Sequence, residues 1–336
     1  MPALPSPRIS RAVLLERLPG YVAQALVLAL VAWLLWRGFA NFIGNVRALR
    51  VASGFAFLKV EAGFEIAQSL IAFGPASSYG RAVVVAALNS LLVIVLGCVF
   101  STLMGVFIAF GRLAAHPVVR GACTAYVEVF RNIPLLLQIF FWYFSAMAVL
   151  PSVGDSLHAG GILLNNRGLF LPRLVFGAGG LALDLPQVEG FNVAGGFALL
   201  PELVALTLGL SIYNSTFLAE IFRAGILSVP RGQAEAAATV GLSGVRAALL
   251  ITLPQALRVA LPPAAGQYQT LAKASSLAAA VGYPDIMQIV GGTVLSQTSQ
   301  ALEAMALVVL LYAAINLVIA LLVNLANRRL LKREGR

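Results

Sequence analysis

The feature that most constrains this chain is a set of apolar runs, each about as long as a bilayer is thick. A helix needs about 20 mainly apolar residues to cross a hydrocarbon core. Six stretches meet that need: 21–43, 82–111, 121–150, 199–222, 264–290 and 302–327. Sixty per cent of the residues are apolar and 11% are charged, with a mean hydropathy of +0.91. An ordinary soluble domain is roughly one quarter charged, so this composition cannot cover its own apolar surface in water. The expectation is an all-α membrane protein of about six transmembrane helices.

Two of these runs depart from a plain apolar span. The first follows Arg8, Arg11 and Arg17, but it is longer than a signal-peptide core and no small-x-small cleavage pattern follows, so it reads as an uncleaved anchor. The fifth is interrupted by Gln267, Gln269, Lys273, Ser275 and Ser276; so polar a span should face protein or a water-filled path. Gly97, Ser101 and Gly105 recur every four positions in the second run, a spacing that permits close helix contact.

Basic residues set the orientation, because cytoplasmic loops carry the excess of Lys and Arg. With the amino terminus inside, that side receives Arg8, Arg11, Arg17, Arg112, Arg120, Arg223, Arg231, Arg246, Arg258 and the tail cluster Arg328, Arg329, Lys332, Arg333 and Arg336. The other side receives Arg37, Arg47, Arg50, Lys59, Arg81, Arg167 and Arg173. Both termini are therefore expected in the cytoplasm. The organisation reads as a tail, first span and outer segment over 1–81, a transmembrane domain over 82–327 and a basic tail over 328–336. Within the domain, 151–198 is an outer insertion, rich enough in Gly and Pro to read as an ordered loop of turns.

Several function classes fall away. The net charge of +10 is scattered rather than gathered into basic runs, which suits anionic lipid headgroups and gives no footing for nucleic acid. Cys98 and Cys123 lie in apolar runs and pack as small hydrophobes. His116 and His158 fall on opposite sides of the membrane, so no metal pair or catalytic triad forms between them. No G-x-x-x-x-G-K-[ST] phosphate loop is present, since Lys273 lacks the preceding glycines. Catalytic and metal residues are expected to be absent, and any ATP must be hydrolysed elsewhere.

The stretch between the fourth and fifth runs, 228–258, is the informative one. It contains Arg231-Gly-Gln-Ala-Glu235-Ala236-Ala237-Ala-Thr-Val-Gly241, nine further residues, and then Ile251-Thr-Leu253-Pro254. The alanine-rich part predicts a short helix with Glu235 near its positive end, stopped by Gly241. A second short helix is expected over 242–253, with Pro254 barring its continuation. Glu-Ala-Ala alone would describe any solvated loop; the whole pattern E-A-A-x3-G-x9-I-x-L-P does not.

In that pattern the sequence resembles the binding-protein-dependent ABC transporter permeases. The resemblance implies a type I importer fold with an extra first span. It also implies that Glu235, Ala236, Ala237, Gly241, Ile251, Leu253 and Pro254 form the loop that docks into a separate ATPase. Tyr126-Val-Glu128-Val-Phe130-Arg131 with Pro134 and Gln138, Tyr213 through Glu220, Arg223-Ala-Gly225 and Lys273-Ala-Ser275-Ser276-Leu277 look like the polar amino-acid branch, with Ala274 departing from its lysine motif. Gly54-Phe-Ala-Phe, Ser77-Ser78-Tyr79-Gly80-Arg81 and Asn165-Asn166-Arg167-Gly168 resemble the longer, Q-type subunit of general L-amino-acid importers. What this likeness implies is a multi-pass protein of a bacterial inner membrane, with an ATPase dimer that uses ATP and Mg, a second permease subunit forming a heterodimer, and a periplasmic amino-acid-binding protein. No cofactor is expected on this chain itself.

The charges inside the spans admit two readings each. Glu128 with Arg131, and Glu220 with Arg223, are spaced to pair on one helix; the alternative is a gate or an ATPase contact, since buried charges are costly. Lys273 either snorkels or braces the bundle or path. Asp285, after Pro284, is a helix cap or, with Ser275, Ser276 and Gln288, part of the substrate path, where an anionic group would hold an ammonium. The rivals are a secondary amino-acid carrier or channel, which should show an inverted copy of its own spans, and a permease for another small polar solute.

Overall fold

The computed structural model describes residues 11–48, 54–177 and 180–332. Arg8, Arg50, Arg333 and Arg336, which entered the charge asymmetry, lie outside the described residues. The chain forms two compact units, Met1–Ser53 and Gly54–Arg336. The first holds a single helix, α1 (Arg11–Ala48). Its apolar stretch Pro19–Asn41 is long enough to cross a membrane, and none of it is buried.

The second unit is a helical bundle. It opens with α2 (Tyr79–Leu113), α3 (Pro117–Asn132), α4 (Leu135–Val149) and α5 (Pro201–Leu227). After α5 come the short α6 (Arg231–Thr239) and α7 (Gly244–Ala247), then α8 (Leu253–Ala274), α9 (Ile286–Gln288), α10 (Leu295–Thr298) and α11 (Ala301–Lys332). Among the described residues, five helices across the two units are long and apolar enough to span, or six if the bent pair α3–α4 counts as one. α2 and α5 pack along each other at the centre. Small residues permit this: a Cβ added to Gly105 would stand 2.8 Å from Leu218 Cβ, and Asn214 Nδ2 reaches Ser101 Oγ at 3.2 Å. The four-residue spacing therefore serves the close contact expected of it.

The stretch 121–150, expected as one span, is broken by a bend of 101° between α3 and α4. Pro134 supplies no N–H and drives Ile133 out of the helical region, to φ −85° and ψ 126°. Buried Gln138 repairs the break from the next helix, its Nε2 donating to the carbonyls of Phe130 at 2.8 Å and Ile133 at 3.0 Å.

The fifth span also differs from the 264–290 expected. α8 begins at Leu253 and runs through Pro262 and Pro263, then tightens into a 3₁₀ turn over Ser275–Val281. Gly282, at φ +79°, ends it in a left-handed conformation that an L side chain adopts only with strain. Asn89 of α2 steadies the turn that follows, donating to Pro284 O at 2.9 Å and to Gln68 O at 2.8 Å.

One end of the bundle is capped by two segments that lie outside the long helices and, among the described residues, hold only short 3₁₀ turns, Phe55–Lys59 and Val153–Asp155, as helical structure. The first, 54–78, sits on an aromatic cluster of Phe57, Phe64, Phe73 and Tyr79. It is pinned by Gly54 N on Glu303 Oε1 at 2.6 Å and Arg81 Nε on Ala72 O at 2.6 Å. The second, 151–198, is β-structure rather than a loop of turns. Strands β1 (Leu157–Ala159), β2 (Ile162–Asn165), β3 (Gly168–Leu171) and β8 (Phe197–Leu199) form an antiparallel sheet in the order β1-β2-β3-β8. Between β3 and β8 stand two hairpins, β4 (Arg173–Gly177) with β5 (Gly180–Asp184) and β6 (Gln187–Glu189) with β7 (Asn192–Ala194). The same glycines that suggest turns join strands of three to five residues, the economy of a tight hairpin.

The close α2–α5 contact is testable. Gly105→Leu should lower the stability of the folded chain by about 1–3 kcal/mol through overpacking, read as an earlier loss of the monodisperse peak on heating, whereas Gly121→Leu, with open space around it, should leave the peak unmoved.

Candidate functional site

At the end of the bundle opposite the two capping segments, α5 runs out into a compact knob. α6 closes with a pair of hydrogen bonds, Gly241 N to Ala238 O at 3.0 Å and Leu242 N to Ala237 O at 3.1 Å. That is the paired closure of a glycine-terminated helix, and Gly241 has the φ of +80° that it requires. Ala237 is buried, Ala236 and Glu235 are exposed, and Val240, Val245, Leu249 and Leu250 are exposed apolar side chains at the tip. Two details differ from expectation. Glu235 lies beyond the first turn of α6, so the helix end does little for its charge. Pro254 does not stop the second helix either: α7 ends at Ala247, a wide helical turn over Ala248–Thr252 carries the chain on, with Leu253 N bonded to Ala248 O, and α8 continues through Pro254. Ile251 and Pro254 are half-buried and Leu253 is exposed. The knob thus leads straight into α8.

The base of the knob is held by charge. Glu220 on α5 bonds Arg223 one turn on, as its spacing predicts, and also Arg112 at the end of α2. Two guanidiniums therefore share one carboxylate. In the sequence Arg112 marks only orientation, and nothing in its spacing from Glu220 announces the contact. The other expected pair does not form: Glu128 is exposed, and Arg131 instead donates to Thr216 O at 2.8 Å and lies over the Phe217 ring at 4.8 Å. A cation held by a carbonyl and a π-face on α5 contributes more there than a solvated partner on its own helix. Gly225, nearby, lets Ala256 of α8 approach closely.

The four path residues surround the broken segment between α8 and α11. Asp285 is buried and caps α9, accepting from Gln288 N at 2.7 Å, and its second oxygen accepts from Tyr312 of α11 at 2.8 Å. Ser275 is buried and bonds back to Ala272 O, so it is turned toward its own helix. Ser276 lines a cavity of about 730 Å³ between α8 and α11, together with Gln269, Lys273 and Asn316. Gln288 lines a separate cavity of about 520 Å³ at the capped end. The structure therefore brings Ser276 and Lys273 together, and separates them from Gln288. Among the described residues no group of three His, Cys, Asp or Glu is placed to hold a metal ion.

These features define a multi-helix membrane subunit with a projecting knob and no phosphate-binding loop. The sequence profile of the binding-protein-dependent transport system inner membrane components matches residues 101–332, and the chain belongs to that family. It is 40% identical to the putative amino-acid ABC transporter permease protein YhdX of Escherichia coli K12, with 92% of each chain covered. It is 37% identical to the general L-amino acid transport system permease protein AapQ of Rhizobium johnstonii, with 91% of each covered. Among solved structures, an amino acid ABC transporter with histidines superposes with a TM-score of 0.54 at 24% identity, covering 75% of this chain and 95% of that one. That likeness shows the fold.

Removing the shared carboxylate checks the charge cluster. Glu220→Ala should leave two unneutralised cations and lower stability by about 1–2 kcal/mol, a modest loss because the groups are part-exposed. Adding Arg112→Gln to it should recover most of the melting temperature.

Proposed function

We propose that this chain is the membrane-spanning subunit of an ATP-binding-cassette importer for polar L-amino acids. The observation that carries the reading is the α6–α7 knob: a glycine-closed helix with an exposed carboxylate and an apolar tip, at the foot of the most buried helix of the bundle. Relatives at 37–40% identity over nine-tenths of the chain bear amino-acid transport names, which supports the substrate class. On this reading the knob faces the cytoplasm and both termini lie there, while 54–78 and 151–198 face outward.

Glu235 and the tip residues around Gly241 then meet a cleft on a separate ATPase dimer, which binds ATP and Mg and supplies the energy. A periplasmic binding protein delivers the amino acid to the capped end. A second permease subunit of similar fold completes the path, forming a heterodimer with this one. ATP binding draws the knobs together; α5 and α8, which enter and leave the knob, transmit that motion and expose the path between the two permease subunits alternately to each side. Ser276 and Lys273 in the cavity between α8 and α11 present a hydroxyl and a cation to the passing zwitterion, and Asp285 holds the shape of the turn beneath them.

The test is uptake by the assembled transporter in proteoliposomes. Glu235→Lys and Gly241→Asp should each lower ATP-driven amino-acid uptake about tenfold or more, corresponding to about 1.4 kcal/mol or more of lost coupling, in complexes that still contain every subunit. Uptake that survives in both variants, or that needs no ATPase, refutes the reading.

A further inference from the structure

The cavity at the capped end is built from four stretches remote in sequence: 64–67, 166–167, 200–202 and 282–293. Its volume of about 520 Å³ falls in the range of small-ligand sites, about 300–1,000 Å³. The lining carries charges of both signs, the carboxylates of Glu65 and Glu202 and the guanidinium of Arg167, beside the amide of Gln288. Two acceptors in this lining are incomplete. Glu202 Oε2 and Gln288 Oε1 are shut off from solvent and have no hydrogen-bond partner among the described residues. The other oxygen of Glu202 takes only a long bond, 3.3 Å, from Tyr143. Buried acceptors in native proteins are almost always satisfied, so a donor is missing from this set.

We propose that the cavity is an entry site for an L-α-amino acid, and this rests on the importer reading above. The ammonium group, with three N–H donors and no acceptor, meets Glu202 Oε2 and Gln288 Oε1 once these two side chains turn toward the cavity, since both oxygens are closed to solvent as they stand. The α-carboxylate meets Arg167, which uses one amino group on Asn192 and keeps the rest of its planar fork for a carboxylate. The side chain rests against Phe64, Ile66 and Ile289. A bare metal cation fits less well, because the guanidinium would repel it and the apolar wall would have no role. Glu65 is exposed at the rim, where it favours approach by the ammonium end. The site precedes the cavity between α8 and α11 and shares no lining residue with it.

The experiment is equilibrium binding of radiolabelled L-glutamine to the complete transporter in nanodiscs, without binding protein, alongside ATP-driven uptake of a mixture of the proteinogenic amino acids. Wild type should bind glutamine and prefer it to 4-aminobutanamide, which lacks the α-carboxylate. Glu202→Gln should weaken binding about tenfold, and Glu202→Asp should stay within about threefold of wild type. Arg167→Gln should weaken binding about tenfold and abolish the preference over 4-aminobutanamide; should Glu202→Gln not assemble, that lost preference decides. Unchanged binding and preference in the variants, or no binding to wild type, overturns the entry site, and intact wild-type uptake then leaves the importer reading standing. Absence of ATP-driven uptake of any amino acid by wild type overturns both.

Discussion

The structure depends on how closely α2 and α5 approach. In a bilayer there is no hydrophobic drive between helices, since lipid tails are as apolar as leucine, and association rests on close packing and a few polar bonds. α2 offers α5 a strip of minimal side chains, with Gly105 against Leu218, Ser101 bonded to Asn214, and Arg112 joined to Glu220 where the helices leave the core. α5 is gripped on its other sides too. Ile139 of α4 lies against Gly209, and the backbone of Ala256 in α8 against Gly225. A helix held so tightly along its length moves as a rod. It ends at Leu227, four residues before the knob begins at Arg231, so only a short link separates the knob from this rod.

Backbone that leaves the helical pattern inside such a bundle must find partners in protein, because lipid supplies none. Two amides do much of this. Gln138 takes up carbonyls released by the bend before α4, and Asn89 ties α2 at once to the 54–78 segment and to the turn after α8. Asn89 is fully buried, and its two donors join three stretches far apart in the chain. The irregular end of the molecule is for that reason as well anchored as the regular part.

Much of this was legible in the sequence, and the misses share a cause. Hydropathy located the spans because lipid imposes a length, and the glycine of the E-A-A pattern marked where α6 had to stop. Local stereochemistry at Gly241 needs no knowledge of the rest of the fold. What the sequence hid were contacts set by the third dimension. Glu128 and Arg131 have the spacing of a pair, yet α5 presents a carbonyl and an aromatic face that take the arginine away. Arg112 looked like a boundary charge until the α2–α5 crossing carried it to Glu220. Pro254 reads as a stop, but the helix runs on through it after a wide turn, and composition does not choose between the two. The strands of 151–198 are too short for alternation to declare itself, so only their glycines were visible.

The sheet in that insertion has a consequence for how such chains diverge. β3 pairs directly with β8, Leu171 facing Phe197. The chain therefore departs from one point on the sheet and returns to its neighbour, and the intervening hairpins close as a self-contained excursion. Residues can be added to or removed from that excursion without shifting where α4 ends or α5 begins. The capped end of the molecule can be lengthened, shortened or redecorated by evolution while the helices beneath it keep their register.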